Sequence, residues 1–227
     1  YVTDRLGDAA CRVIGEHRDE PFYLFVSFTA PHGPLQAKPE HLAALSKISA
    51  TRRRRYAGLV VSLDENVGKI LACLASNKLD GRTLVIFTND NGGLRDEYNK
   101  PWRGTKNTTF EGGVRVPCLL RWPGHTKPGT SNDGMIFISD FYSTFITLGG
   151  AKHEQERNVD GLDMTETLFG DKASPRKEIV FEVEGSVRLP TIRRGNIAGM
   201  RLIVCETLWL DDAEDVVTDA FEQAVKR

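Results

Sequence analysis

The residues best equipped for chemistry begin in "LVIFTNDNGG", residues 84–93. An apolar run reaches Thr88, and the chain then turns into Asn89, Asp90, Asn91 and two glycines. A carboxylate beside an amide carbonyl offers hard oxygen donors, suited to Ca²⁺ or Mg²⁺ rather than to zinc. Gly92 and Gly93 permit a sharp exit that lets both side chains face one point. Asn-Asp-Asn-Gly is also ordinary turn chemistry, and two oxygens are an incomplete set for Ca²⁺, which takes about 6–8. Two other stretches add complementary groups. "TAPHGP" puts His32 directly after an apolar run, fenced by Pro31 and Pro34. An imidazole there can donate a proton or contact an anion. "RGTKNTTFEGG" puts Lys106 among glycines and hydroxyls. It is either a solvated charge or a fixed cation facing an anionic substrate. Together they predict a hard cation, an imidazole and an ammonium on loops that open onto one cleft at a sheet edge.

The elements that must position these groups follow from periodicity. Residues 3–18 place Leu6, Ala10, Val13, Ile14 and His17 at helical spacing. "FYLFVSF" is apolar at nearly every position, which suits a strand covered on both faces, as in a parallel sheet. "TAPHGPLQAKP" is a loop by its prolines and glycine. Residues 54–76 predict a long helix with Tyr56, Leu59, Val60, Leu63, Val67, Ile70, Leu71 and Leu74 as its buried stripe. Residues 83–88 are the next strand. Strand, helix, strand argues a βαβ unit and an α/β fold, whose ligands bind beyond the carboxyl ends of the strands.

After Asn91 a long Gly-rich and charged loop runs to Arg115, followed by "VPCLLRW" as a further strand. A loop of that length is usually functional or disordered. Residues 139–148 predict a helix capped by Ser139 or Asp140. "EIVFEV" and "MRLIV" predict strands of a small antiparallel C-terminal layer, and "DDAEDVVTDAFEQAVKR" a terminal helix with an acidic start and a basic end. The expected division is a main α/β part, residues 1–175, and a small strand and helix part, residues 176–227.

Bulk properties exclude several classes. With 227 residues, 40% of them hydrophobic, the chain can bury a real core. A net charge of −1 gives no footing for nucleic acid or an anionic membrane. No apolar run approaches the roughly 20 residues of a membrane helix. "RRRR", residues 52–55, reads as a solvated helix face. Cys11, Cys73, Cys118 and Cys205 are far apart and form no CxxC pair, so buried structural thiols are expected rather than zinc or a disulfide framework.

Four stretches in order carry a resemblance: "FVSFTAPHGP", "LVIFTNDNGG", "PWRGTKNTTFEGGVRVPCLLRWPG" and "ISDFYSTFITLGGA". They resemble the second half of a type I sulfatase of the arylsulfatase and N-acetylgalactosamine-sulfatase kind, from about residue 1 to residue 170. The resemblance implies an alkaline-phosphatase-like fold: a mixed sheet flanked by helices, with a small C-terminal antiparallel sheet. It implies one Ca²⁺ (Mg²⁺ is possible) held by four acidic or amide side chains, of which Asp90 and Asn91 match the late pair. It implies a formylglycine nucleophile made from Cys or Ser in a C/S-x-P/A-x-R motif. Lys106 matches the lysine that contacts sulfate, and His32 the histidine near the bridging oxygen. Asp90 is also placed to accept the attacking hydroxyl's proton. Substrates would be aryl or carbohydrate sulfates, and such enzymes are commonly exported or lysosomal.

The departures are equally specific. No cysteine or serine lies in the modification motif, and no early Asp pair precedes "YVTDRL". The expectation is a fragment of a longer sulfatase that is inactive alone. Other readings are a degenerate sulfatase-like binding protein, or a phosphatase or phosphonate hydrolase of the same superfold. The latter usually adds His and Asp ligands for zinc, and no suitable histidine stands near Asn91. Glu111, Gly112 and Gly113 are expected to shape the loop. Trp102 either stacks on a sugar or packs against the loop, and Arg103 either reaches sulfate or forms an ion pair. Asn107-Thr108-Thr109 is a glycosylation sequon whose place beside Lys106 argues against occupancy.

Overall fold

A computed structural model describes residues 1–94, 97–152, 159–181, 191–194 and 201–204. The chain divides into two compact units, with the boundary between Leu84 and Val85.

The first unit is helical. Helices α1 (Val2–Glu16), α2 (Pro39–Ala44) and α3 (Thr51–Ser76) are followed by a single 3-10 turn, Asp80–Arg82. Of the expected stripes, Ala10 and Ile14 of α1 and Leu59, Leu63 and Leu74 of α3 are buried; Leu6, Val13, Tyr56, Val60, Val67, Ile70 and Leu71 are half-buried, and His17 is exposed. Close approach of α1 to α3 needs Gly7, because a Cβ there would collide with the Asn66 side chain. Helix α3 starts three residues earlier than periodicity predicts, and takes all four arginines into its first five positions. Arg54 is held there by donating from Nε to the Ile48 carbonyl at 2.6 Å, and Arg53 lies 5.4 Å from the Tyr56 ring centroid.

Two sequence expectations fail in this unit. Cys11 and Cys73 are not free thiols: they form a disulfide between α1 and α3, with Cα atoms 5.7 Å apart. Sixty-two positions separate them, so only the packing of the two helices brings them within bonding reach. The run "FYLFVSF" is not a strand covered on both faces. Residues 22–28 alternate between half-buried and exposed, and Tyr23 and Phe25 are 72% and 76% exposed. Among the described residues no strand pairs with this run, so its apolar character alone does not make it part of a sheet.

Asp64 gives this unit a testable pH dependence. Burial, and secondarily the neighbouring Glu65 carboxylate, push its carboxyl up to about 6. A folded-state value above the unfolded one means the native state holds the proton more tightly. Stability from this group is therefore fully present below the unfolded value of 3.8 and is lost as pH rises through about 6. Asp64→Asn should raise the melting temperature at pH 7.5 and lose that advantage by pH 4. Melting curves at the two pH values check this, and an equal shift at both would refute it.

The second unit carries the sheets. Strands β1 (Val85–Thr88), β2 (Pro117–Arg121), β3 (Ser131–Asn132) and β6 (Arg201–Val204) form one sheet in the order β1-β2-β6-β3. Its pairs are antiparallel for β1 with β2, parallel for β2 with β6 and antiparallel for β3 with β6. Strands β4 (Glu178–Phe181) and β5 (Thr191–Arg194) form a separate antiparallel pair. The fold class is thus the expected mixed sheet with a small antiparallel sheet. The assignment within it changes: "MRLIV" leaves the C-terminal layer and pairs in parallel with β2. Side-chain alternation cannot reveal which strand a neighbour will be, since register depends on partners distant in sequence. The expected terminal helix lies outside the described residues.

Helices α4 (Glu111–Val114), α5 (Asp140–Leu148) and α6 (Thr165–Leu168) complete this unit. Its core includes Leu120 of β2 with Met135, Ile136, Phe141, Met164 and Leu168. Asp140, at the start of α5, is fully buried and is paired with Arg176 through both carboxylate oxygens. Those oxygens also accept from the Phe137 and Leu162 amides, both at 2.8 Å. Asp140 is therefore the centre of a satisfied buried network rather than a simple cap, and removing one partner would leave a buried charge uncompensated.

Candidate active site

The antiparallel pairing of β1 with β2 determines where the candidate residues go. A connection between antiparallel neighbours starts and ends at the same end of the sheet. Thr88 of β1 faces Cys118 of β2, so the long loop between them leaves and returns beside the carboxyl end of β1. Asp90, Asn91 and Lys106 all lie on that one connection.

Glycine contacts fold the connection back on itself. The Gly92 amide donates to the Gly113 carbonyl at 3.0 Å, and the Gly112 amide donates to the Arg103 carbonyl at 2.8 Å. The Lys106 amide donates to the Gly93 carbonyl at 2.9 Å, which brings Lys106 to the residue two places beyond Asn91. Side chains are excluded at these contacts. A Cβ on Gly92 would strike the Gly112 carbonyl, and one on Gly113 would lie 2.5 Å from the Thr105 carbonyl oxygen. Gly104 adds a positive φ of 92°, a conformation that glycine adopts without a Cβ penalty. The turn under Lys106 is closed by Thr108, whose hydroxyl donates to the Thr105 carbonyl at 2.7 Å.

Asp90 is exposed and Asn91 half-buried at the strand end. One Asp90 oxygen accepts the Asn91 amide at 2.9 Å, while the Asn91 side-chain NH₂ donates to the Gly92 carbonyl at 3.1 Å. With its NH₂ engaged, the Asn91 amide presents oxygen as its remaining donor atom for a cation. The pair therefore suits a hard cation but supplies only two side chains. Among the described residues no group of three or more His, Cys, Asp or Glu is arranged to hold a metal ion.

Asn99, which sequence reasoning passed over, is a main organiser of this loop. Its side chain accepts from the Gly93 amide at 2.9 Å and donates to the Gly93 carbonyl at 3.0 Å. It thereby fixes the backbone group that also receives the Lys106 amide. Nothing in the local pattern distinguishes this Asn from a solvated loop residue, because its partner is six positions away. The flanking aromatics pack within the loop. Trp102 lies under the Arg115 guanidinium at 4.1 Å, and Phe110 under that of Arg103 at 4.0 Å. Arg115 in turn pairs with Glu111 at 3.7 Å.

His32 belongs to the first unit and is exposed. Its amide donates to the Thr29 carbonyl at 2.9 Å, and its Nδ1 lies 2.8 Å from the Gly33 carbonyl oxygen. That contact engages Nδ1 and leaves Nε2 as the ring nitrogen available to a substrate. The remaining described thiol is no nucleophile at neutral pH. Cys118 is fully buried, and burial pushes it up to about 12, whereas reactive cysteines sit in partly exposed, electropositive places.

Comparison with known proteins gives the family. The family model "Sulfatase" matches residues 1–151. N-acetylgalactosamine-6-sulfatase of Rattus norvegicus is 35% identical over 158 residues, covering 67% of this chain and 29% of that protein. Steryl-sulfatase of Mus musculus is 34% identical over 190 residues, covering 79% and 30%. The crystal structure of Ps i-CgsB in complex with k-i-k-neocarrahexaose superposes with a TM-score of 0.78 at 34% identity, covering 86% of this chain and 44% of that one. PsFucS1 sulfatase from Pseudoalteromonas sp. gives a TM-score of 0.68 at 33% identity, covering 78% and 36%. The chain thus spans about 30% of the length of these curated relatives. A family match over two-thirds of the chain, containing His32, Asp90, Asn91 and Lys106, settles its kinship: the chain belongs to the sulfatase family.

Proposed function

We propose that this chain supplies the sulfate-binding and proton-transfer half of a sulfuric ester hydrolase acting on aryl or carbohydrate sulfates. The observation that carries the reading is the family match across residues 1–151, together with the tie between the Lys106 amide and Gly93 on the connection that bears Asp90 and Asn91. A sulfate ester needs positive charge on its oxygens and a proton for the departing alcohol. Lys106 contacts the sulfate oxygens. His32 gives a proton to the bridging oxygen, and Asp90 receives the proton of the attacking hydroxyl. Asp90 and Asn91, with ligands from elsewhere, would hold Ca²⁺, which would supply charge at the sulfate, and a formylglycine would supply the attacking hydroxyl. No C/S-x-P/A-x-R motif occurs in the 227 residues, so the covalent route is closed to the chain alone.

The disulfide between Cys11 and Cys73 supports an oxidising compartment, where such bonds form and persist. That agrees with an exported or lysosomal enzyme. Among the described residues no helix is long and apolar enough to cross a membrane.

The test is sulfate release from an aryl sulfate and from a sulfated galactosamine. The isolated chain should release none above background. A longer sulfatase combining this chain with a modification motif should turn over, and Asp90→Ala should abolish that turnover. Sulfate release by the pure chain that disappears in Asp90→Ala would refute the missing-nucleophile reading. Faster turnover of a phosphate monoester by the longer enzyme would favour the phosphatase alternative.

A further inference from the structure

The loop that bears His32 has few restraints of its own. Within residues 30–37 the backbone bonds are the His32 amide to the Thr29 carbonyl and the Gln36 amide to the Pro34 carbonyl, both at 2.9 Å. Its exit is held much more firmly. A Cβ added to Gly58 of α3 would lie 2.7 Å from the Ala37 Cβ, so the Ala37 side chain packs directly on the helix there. Lys38 follows, with Nζ 2.9 Å from Asp4 Oδ2 of α1 and 3.5 Å from Glu65 Oε2 of α3. One turn on, the buried His41 has Nε2 2.9 Å from Glu65 Oε1. Its Nδ1 stands 3.0 Å from Ser62 Oγ and 3.2 Å from the Gly58 carbonyl oxygen. Asn66 completes the network by donating to Asp4 Oδ1 at 2.9 Å and to the Ser62 carbonyl at 2.8 Å.

Glu65 thus gives one oxygen to Lys38 and the other to His41, the cap and the first turn of the helix that follows the loop. A buried polar cluster of this kind is a poor source of net stability, because apolar residues of similar volume often do as well or better. What it offers is orientation, since Glu65 meets both Lys38 and His41 in this arrangement. The burial is unequal in a telling way: the His41 side chain is 8% exposed and that of Lys38 18%, whereas that of Glu65 is 50% exposed. The arrangement therefore uses a half-exposed carboxylate to fix two largely buried side chains that follow the loop, one at the cap of α2 and one within it.

We infer that His41 and Glu65 are positioning residues, through which α3 fixes the loop that presents His32 to substrate. This rests on the role proposed above for His32. Neither residue touches the reacting atoms. They act by restricting the exit of the loop, so that the imidazole is held at one place when a proton must be delivered.

Amide hydrogen exchange on the 227-residue chain tests the contact, with the His32 and Gln36 amides as reporters and those of α3 as an internal control. Glu65→Ala and His41→Leu should each speed exchange at the reporters by about tenfold relative to the α3 amides. Glu65→Gln, which keeps an acceptor for His41 but loses the charge facing Lys38, should fall between wild type and Glu65→Ala. Unchanged reporters, or equal acceleration across α3, would overturn the inference. In the longer active sulfatase, Glu65→Ala should lower kcat several-fold for esters of poor leaving groups and leave KM and activated aryl sulfates little changed. Loop-confined exchange alongside a His32→Ala enzyme of undiminished kcat would sink the role of His32 while the positioning contact stood. Equal loss of kcat on activated and unactivated esters by Glu65→Ala would instead overturn positioning as the route to catalysis.

Discussion

Lys106→Ala in an active sulfatase containing this chain should cost about 2–4 kcal/mol of transition-state stabilisation, the range for losing one preorganised electrostatic donor. In the role proposed for it, the ammonium would face sulfate oxygens that are charged in both ground and transition states, so KM should rise and kcat fall together. Its effect depends on placement. The backbone bond to Gly93 and the Thr105–Thr108 turn hold Lys106 in one position, and its side chain is half-buried. Lys106→Arg should rescue only in part, because a planar guanidinium fork needs more room than a point charge. His32→Ala should differ in kind, with the largest losses on poor leaving groups, since only these need the proton. Steady-state kinetics on an activated aryl sulfate and an alkyl or sugar sulfate separate the two roles. A Lys106→Ala enzyme with unchanged kcat and KM would make the lysine a solvated loop residue.

Breaking the disulfide should be nearly as consequential for stability. Closing a loop between positions 62 apart removes unfolded-state entropy worth about 4 kcal/mol on the chain-entropy model. The Cys11→Ser/Cys73→Ser chain should therefore melt about 10 °C below the oxidised wild type. Reductant should lower the wild-type transition and leave that of the double variant unmoved. The gain should centre on the first unit, where the bridge joins α1 to α3. Thiol labelling of the denatured, unreduced chain gives a direct check: Cys118 and Cys205 alone should react. Labelling of Cys11 or Cys73 would show that the bridge does not form.

Much of the first unit's secondary structure was legible because it is a local matter. The apolar spacings along residues 3–18 and 54–76 depend only on the 3.6-residue period, and α1 and α3 form there and bury Ala10, Ile14, Leu59, Leu63 and Leu74. The arginines at the start of α3 show the limit of that reasoning: they join the helix because Ile48 and Tyr56 supply partners, which no periodicity reports. The mixed sheet came from the family resemblance, carried by four ordered stretches, whereas the small antiparallel layer was also read from "EIVFEV" and "MRLIV" themselves.

By itself the sequence determined the chemical types and their order: a hard-oxygen pair at a strand end, a lysine among glycines, and a histidine between prolines. It also determined that no modification motif is present. Tertiary structure alone decided which distant groups meet. It joined Cys11 to Cys73, moved the strand of "MRLIV" beside β2, and placed residues 22–28 outside the sheets of the described residues. It made Asn99 the clasp on Gly93 and Glu65 the bridge between Lys38 and His41. The physical reason is common to all of these. Strand pairing, disulfides and polar networks depend on atoms brought together from distant or separate loops, and local spacing carries no record of that proximity.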